Sequence, residues 1–374
     1  MTSSVFSVTV IPRDPIIARD GRPFNRGQRV RSLDWIYPSV FVGSLRTLLG
    51  KRLDMEFGSD DIETLKSLEV VGPFPFFNGK VFVPKPLDCL VDESERKLYA
   101  VRPAKLRDNE GTNLPDGLLP VMLPDSKEGE FKPAKTAPFW SLDKMIDWLA
   151  QPTICGEDYK EKDNDLNALE QEERTHVAIE PKTGAAKDSM LFSTTGLDFE
   201  KENGKNVEMI AEVAVSERLI DTMKTLNTLH PLGGERRLVH WKTDSMPLLE
   251  VPKSLSELSD IQLVRMVLTT PAIFANGWCP SWINGAVPGT EVKLKLIGAA
   301  VERWRPISGW SYENNQPKAV RRLVPAGSVY FFQIEQGDFG QLLDNVWMRS
   351  VCDDEQDRRD GFGLALWGVW NYNE

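Results

Sequence analysis

Much enzyme chemistry depends on residues that this sequence hardly has. Histidine occurs only at His176, His230 and His240, and cysteine only at Cys89, Cys155, Cys279 and Cys352. The cysteines stand far apart with no CxxC pair. That argues against a zinc site and a disulfide framework, and it fits a reducing cytosol. No glycine-rich loop ends in the Gly-Lys-Ser/Thr of a nucleotide-binding P-loop. Acids are plentiful, but Asp353-Asp354 lies in a charged run that reads as a solvated loop, so the signature of a metal-dependent polymerase or hydrolase is missing. No apolar run approaches 18 residues, so no membrane span is expected. Met1 to Ser4 brings neither a basic start nor a long apolar core, so no secretion signal is expected, and the chain reads as cytoplasmic.

What remains is the composition of a soluble globular protein, 41% apolar and 27% charged, with a net charge of −10. At 374 residues it is long enough for two domains. Eleven tryptophans are many, and exposed ones would serve base stacking or a protein interface.

Against that acidic background stands a positive island. Between Ile11 and Arg52 lie Arg13, Arg19, Arg22, Arg26, Arg29, Arg31, Arg46, Lys51 and Arg52, opposed by Asp14, Asp20 and Asp34. A local excess of this kind points to a polyanion. The island opens on a strand pattern, with Phe6, Val8 and Val10 alternating with Ser7 and Thr9. The turn Arg19-Asp20-Gly21-Arg22-Pro23-Phe24 follows. Pro38-Ser39 then starts an apolar run (Val40, Phe41, Leu45, Leu48, Leu49) at helical spacing, closed by Gly50, with Ser39 as the expected N-cap. Strand, arginine loop and helix N-terminus in that order would make a phosphate cradle. A solvated loop beside an ordinary core helix is the plainer reading of the same residues.

Further along, Asp61–Leu68 reads as a short helix, and Val70–Phe77 with Val81–Val83 as edge strands or a hairpin. Residues 84–138 read as loop around a short strand at Leu98–Val101, and Ser141 caps a helix through Ala150. The acidic run from Gly156 to Glu173 reads as a solvated excursion. Arg174–Glu180 and Met190–Thr194, joined by Pro181-Lys182-Thr183-Gly184, read as a projecting hairpin. Val207–Val215, Val292–Val301, Ser328–Ile334 and Leu364–Trp370 read as strands, and Ser254–Thr270 as an amphipathic helix. The class is α+β. The expected division is 1–205, with insertions at about 84–138 and 151–190, and 206–374.

Three further motifs carry possible chemistry. In Gly233-Gly234-Glu235-Arg236-Arg237 the glycines permit close backbone approach and the arginines can grip an anion, although a tight turn entering a strand reads equally well. Gly361-Phe362-Gly363 could stack its ring on a base, or be a hairpin turn around a core Phe, the better reading. Arg321-Arg322 sets basic side chains beside a turn and strand. His176, beside Arg174, is the one histidine that could serve as a nuclease base, but without a second placed acid it reads better as a contact or a structural group.

The ordered set resembles the RAMP superfamily of CRISPR-associated RNA-binding proteins, nearest to the third-subunit group of the Cmr (type III-B) effector complex. Its carriers are Arg19 to Phe24, Pro38-Ser39, Gly43-Ser44-Leu45-Arg46, Arg174 to Ile179 with Thr183-Gly184 and Leu191, Gly233 to Arg237, Pro325 to Phe331, and Gly361-Phe362-Gly363. The resemblance implies two ferredoxin-like (RRM-like) domains with a protruding hairpin or thumb and long loop insertions. It implies a non-catalytic subunit without cofactor or metal that holds the 5′ tag of the crRNA, near target RNA, between the large polymerase-domain subunit and the repeating backbone subunit. The RNA contacts it implies are Arg19, Arg22, Asn25, Ser39, Ser44, Arg46, Arg174, His176, Lys182, Gly233, Gly234, Arg236, Arg237, Gly361, Phe362 and Gly363. The alternatives are a metal-independent repeat-RNA endoribonuclease using His176, and a protein-only assembly adaptor.

Overall fold

The computed structural model describes residues 4–372 apart from 20–28, 31, 126, 128–129, 152–154, 160, 162, 202–203, 245–249 and 312–314. The chain forms two compact units that interleave in sequence. The first takes residues 1–77, 168–246 and 306–322, and the second the remainder. These units do not follow the linear division at 205/206, because Glu208–Val215 and Leu238–Asp244 complete the sheet begun by Ser4–Pro12.

In the first unit the alternation at Phe6 to Val10 yields the strand Ser4–Pro12, with Val8 and Val10 fully buried. It pairs antiparallel on one side with Glu208–Val215 and on the other with Leu238–Asp244. Glu69–Phe77 flanks the former, and Asn227–Pro231 forms the edge beyond the latter. The helix Pro38–Arg52 crosses from the first strand to Glu69–Phe77 and buries Phe41, Val42, Leu45, Leu48 and Leu49. Its start differs from the expectation. Pro38 occupies the first turn, where its fixed φ suits a helix, and Ser39 makes no side-chain cap. Gly50 does not end the helix but lies inside it, where a Cβ would sit 2.7 Å from the Phe57 ring.

The second unit repeats the strand order. Leu263–Leu268 lies between Val329–Gln336 and Leu364–Val369, with Lys293–Ala300 outside the former and Arg349–Ser350 outside the latter. The helix expected over 254–270 is not formed. Only Lys253–Ser256 is helical, Asp260 takes a left-handed φ of 57°, and Leu263–Leu268 is strand. A central strand is apolar on both faces, and a short run of that kind is ambiguous with a buried helix turn.

The 84–138 stretch is not mere loop. It holds the antiparallel pair Cys89–Val91 and Lys97–Ala100, and it leads to the strand Phe139–Ser141. The helix Leu142–Ala150 starts as expected, with Lys144 N–H donating to the Ser141 hydroxyl. That helix meets the second sheet so closely that a Cβ on Gly368 would lie 2.5 Å from the Leu149 carbonyl oxygen. Part of the acidic run is built in as well, which corrects its reading as a solvated excursion. Asp165 accepts from Lys144 Nζ at 2.7 Å and from the Tyr159 hydroxyl at 2.8 Å, and residues from Glu170 onward are strand. Among the described residues, no helix is long and apolar enough to cross a membrane, and no cluster of His, Cys, Asp and Glu could hold a metal ion.

Candidate nucleic-acid interface

The arginine loop of the first unit is pinned at its base. The Ala18 N–H donates to the Ser32 hydroxyl at 3.1 Å, that hydroxyl donates to the Ala18 carbonyl at 3.1 Å, and the Leu33 N–H donates to the same carbonyl at 2.7 Å. Ala18 and Ser32, which flank the arginine run in the sequence, are therefore held together. Arg19 is exposed at the exit; Arg22 and Asn25 lie outside the described residues.

Two other elements meet this base. Gly234 N–H donates to the Ile17 carbonyl at 2.7 Å, and a Cβ on Gly233 would lie 2.5 Å from that same oxygen. Only glycine allows this approach, and Gly233 also holds a φ of 77°. The turn continues through left-handed Glu235 and Arg236, which leaves Arg236 exposed and brings Arg237 within 3.1 Å of Glu235. The second element is the hairpin Glu170–Ile179 with Ala186–Asp198. Ile16 and Leu197 exchange backbone hydrogen bonds of 2.9 and 2.8 Å, Ser32 N–H donates to the Thr195 hydroxyl at 2.8 Å, and Arg29–Val30 pairs in parallel with Ser193–Thr194. Arg174 stands on the hairpin, ion-paired with Glu172; that bond, with Asp14 and Glu235 nearby, raises its already high pKa.

Arg19, Arg174, Gly233, Gly234, Arg236 and Arg237 are thus brought to one end of the first sheet. Lys182 lies exposed in the hairpin turn, away from that base. His176 stands along the hairpin, its ring stacked on Phe192 at 5.2 Å and its Nε2 2.9 Å from the Thr194 hydroxyl. The sequence reading did not single out Ser32 or Thr195, which fix the loop ends. A lone serine after an arginine run carries no pattern that would mark it.

Several expected contacts are committed elsewhere. The Ser44 hydroxyl donates to the Pro231 carbonyl at 2.6 Å, fixing the helix beside the glycine loop rather than facing a phosphate. Arg46 Nε donates to the Leu65 carbonyl at 2.9 Å, closing the C-terminus of the helix Ser59–Lys66. At the helix start Pro38 has no N–H and Val40 N–H turns back to Tyr37, so the turn bearing Ser39 offers an anion less than a Ser-capped start would. The Gly234 N–H is taken by Ile17. In the second unit Gly361 N–H donates to Arg358 and Gly363 N–H to Pro271, so neither is an open phosphate donor. Phe362 is fully buried as a core side chain and presents no ring for stacking.

The sequence matches the model of the CRISPR-associated protein family Cas_Cmr3 over residues 8–370. The chain belongs to that family. No curated protein matches it in sequence. A chain in the cryo-EM structure of the Type III-B Cmr-beta bound to cognate target RNA is similar in fold, with a TM-score of 0.50 and 14% identity over 87% of this chain and 86% of that one. A chain of the same assembly bound also to AMPPnP gives a TM-score of 0.49 at 14% identity over the same shares. In this Cas_Cmr3 member, the exposed Arg236 of the glycine–arginine turn and Arg174 of the hairpin stand on the two elements that meet the base from which Arg19 emerges.

Proposed function

We propose that this protein is an RNA-binding, non-catalytic subunit of a type III CRISPR effector complex. It would hold the 5′ tag of the crRNA at the first unit and stand between a large polymerase-domain subunit and a repeating backbone subunit in the cytoplasm. The observation that carries this reading is the Gly234–Ile17 hydrogen bond of 2.7 Å. It sets Arg236 and Arg237 beside the exit of the arginine loop, so two cationic segments far apart in sequence face one polyanion. Single-stranded RNA suits such a place, because a splayed strand offers phosphates and base edges together.

The strand order supports the finer fold reading. In each unit the first strand lies between the third and fourth, and the second flanks the third, as in a ferredoxin-like β-α-β-β-α-β unit. The helix Pro38–Arg52 fills the first crossover of the first unit, and a short 3₁₀ turn at Ser281–Asn284 takes that place in the second. The hairpin that carries Lys182 is the proposed thumb. The endoribonuclease alternative rests on His176, whose contacts are a phenyl ring and a hydroxyl; a general acid–base pair would need a second proton-transfer group beside it. The test is the affinity of the full chain for a 5′-tagged crRNA against a tag-scrambled control. Tag-dependent, salt-sensitive binding that leaves the RNA uncut is expected.

A further inference from the structure

Arg321-Arg322 takes no part in the site above, yet it closes a second positive island. From Arg303 to Arg322 the chain carries Arg303, Arg305, Lys318, Arg321 and Arg322 against Glu313 alone, a local +4 in a protein of net charge −10. The same stretch carries Trp304, Trp310 and Tyr312. Basic residues interleaved with aromatic ones suit single-stranded nucleic acid, whose phosphates and bases ask for both.

The structure turns this composition into a surface. Residues 306–322 are an excursion of the first unit in which Trp310–Ser311 pairs antiparallel with Gln316–Pro317. Lys318 N–H donates to the Gly309 carbonyl at 2.8 Å, and the Ser308 hydroxyl donates to the Lys318 carbonyl at 2.8 Å. The returning arm is thus held in place by its own ladder. Every residue from Asn315 to Arg322 is exposed, Val320 at 67%, and none of them is acidic. A held, exposed arm with cations at 318, 321 and 322 attracts a polyanion.

We propose that the arm Asn315–Arg322 is a second RNA surface, which takes single-stranded RNA by its phosphates without reading sequence. The choice of RNA over an acidic protein rests on the function proposed above. In this division the first site supplies tag preference and the arm supplies tag-independent affinity.

The test uses the full chain and two single-stranded RNAs of equal length, one with the 5′ tag and one of polyuridine. It compares wild type with a Lys318→Glu, Arg321→Glu, Arg322→Glu variant and its milder Gln counterpart, each checked by thermal melting. The Glu variant is expected to lose about tenfold or more in polyuridine affinity, with the Gln variant between, and its slope of log affinity against log salt should fall by about 2. The ratio of tagged to polyuridine affinity should stay as in wild type. Unchanged affinity and slope for both RNAs would overturn the arm. So would intact RNA binding with lost association to the large subunit, which would assign the arm to a protein. Loss of tag preference in wild type, with polyuridine binding intact, would overturn the tag site and leave the arm standing.

Discussion

Arg265 donates to Asp88 through Nη1 at 2.6 Å, and neither side chain reaches water. The same carboxylate accepts from Arg102 at 2.9 Å, and its other oxygen accepts from the Trp148 indole at 2.9 Å. Arg265 also donates to the Trp148 and Gln151 carbonyls. Two guanidiniums thus share one acid inside the second unit, tying its inserted segment to the central strand. Burial, with Arg265 beside it, pushes Arg102 down to about 9. Burial also lowers Arg265, against the opposing pull of Asp88.

Removing that acid should be severe. Asp88→Asn keeps the shape but leaves two buried cations without their counter-charge. Denaturant unfolding should show a loss of about 3–5 kcal/mol, the usual cost of breaking a buried pair from one side. A loss below about 1 kcal/mol would mean that water reaches the cluster.

The buried thiols give a pH-dependent prediction. Burial pushes Cys89 and Cys352 up to about 12 from an ordinary 9. Their neutral form is favoured in the folded state, so the unfolded chain loses these protons first. As pH rises from about 9 to about 12, stability from both thiols is lost. In a Cys155→Ser background at pH 8, a thiol reagent should reach the half-buried Cys279 well before Cys89 or Cys352. Equal labelling of all three in the native protein would contradict that burial.

Gly233→Ala forces a Cβ to within 2.5 Å of the Ile17 oxygen at a backbone φ of 77°. The glycine turn should move away from the arginine loop, weakening tagged-RNA binding about tenfold and costing about 1–3 kcal/mol of stability. Arg46→Ala should touch stability alone. It removes the hydrogen bonds that close the Ser59–Lys66 helix, so stability falls by about 1 kcal/mol with RNA affinity nearly intact. Equal effects of the two variants on binding would contradict the split between positioning and contact.

These contrasts show how far the sequence carries. Alternation at Phe6 to Val10 revealed a strand because Ser7 and Thr9, although buried too, keep the period, and the spacing of Phe41, Leu45 and Leu49 revealed a helix that buries one face. Leu263–Leu268 misled because a central strand buries both faces, so its period disappears. The positive island was legible as charge, but charge does not say which arginine is committed. Arg46 closes a helix while Arg236 stays exposed, and only tertiary contacts decide that. Gly361 and Gly363 looked like ligand glycines; Gly361 ends the helix Glu355–Asp360, and Gly363 lies where a Cβ would meet the Cys352 sulfur at 2.6 Å. The pinning of the arginine loop by Ser32 and Thr195 joins residues more than 160 apart in the chain, a link no local pattern carries.

The central claim is that the arginine loop and the glycine–arginine turn act together on the crRNA tag. Its most direct test is the affinity of wild type and an Arg236→Glu, Arg237→Glu variant for tagged and tag-scrambled crRNA at two salt concentrations. Wild type should prefer the tag and weaken steeply with salt, leaving the RNA uncut. The variant should lose the preference, with a salt slope smaller by about 1.4, the share of two phosphate contacts on a single strand. Equal tag preference and equal slope in the two proteins would contradict the claim.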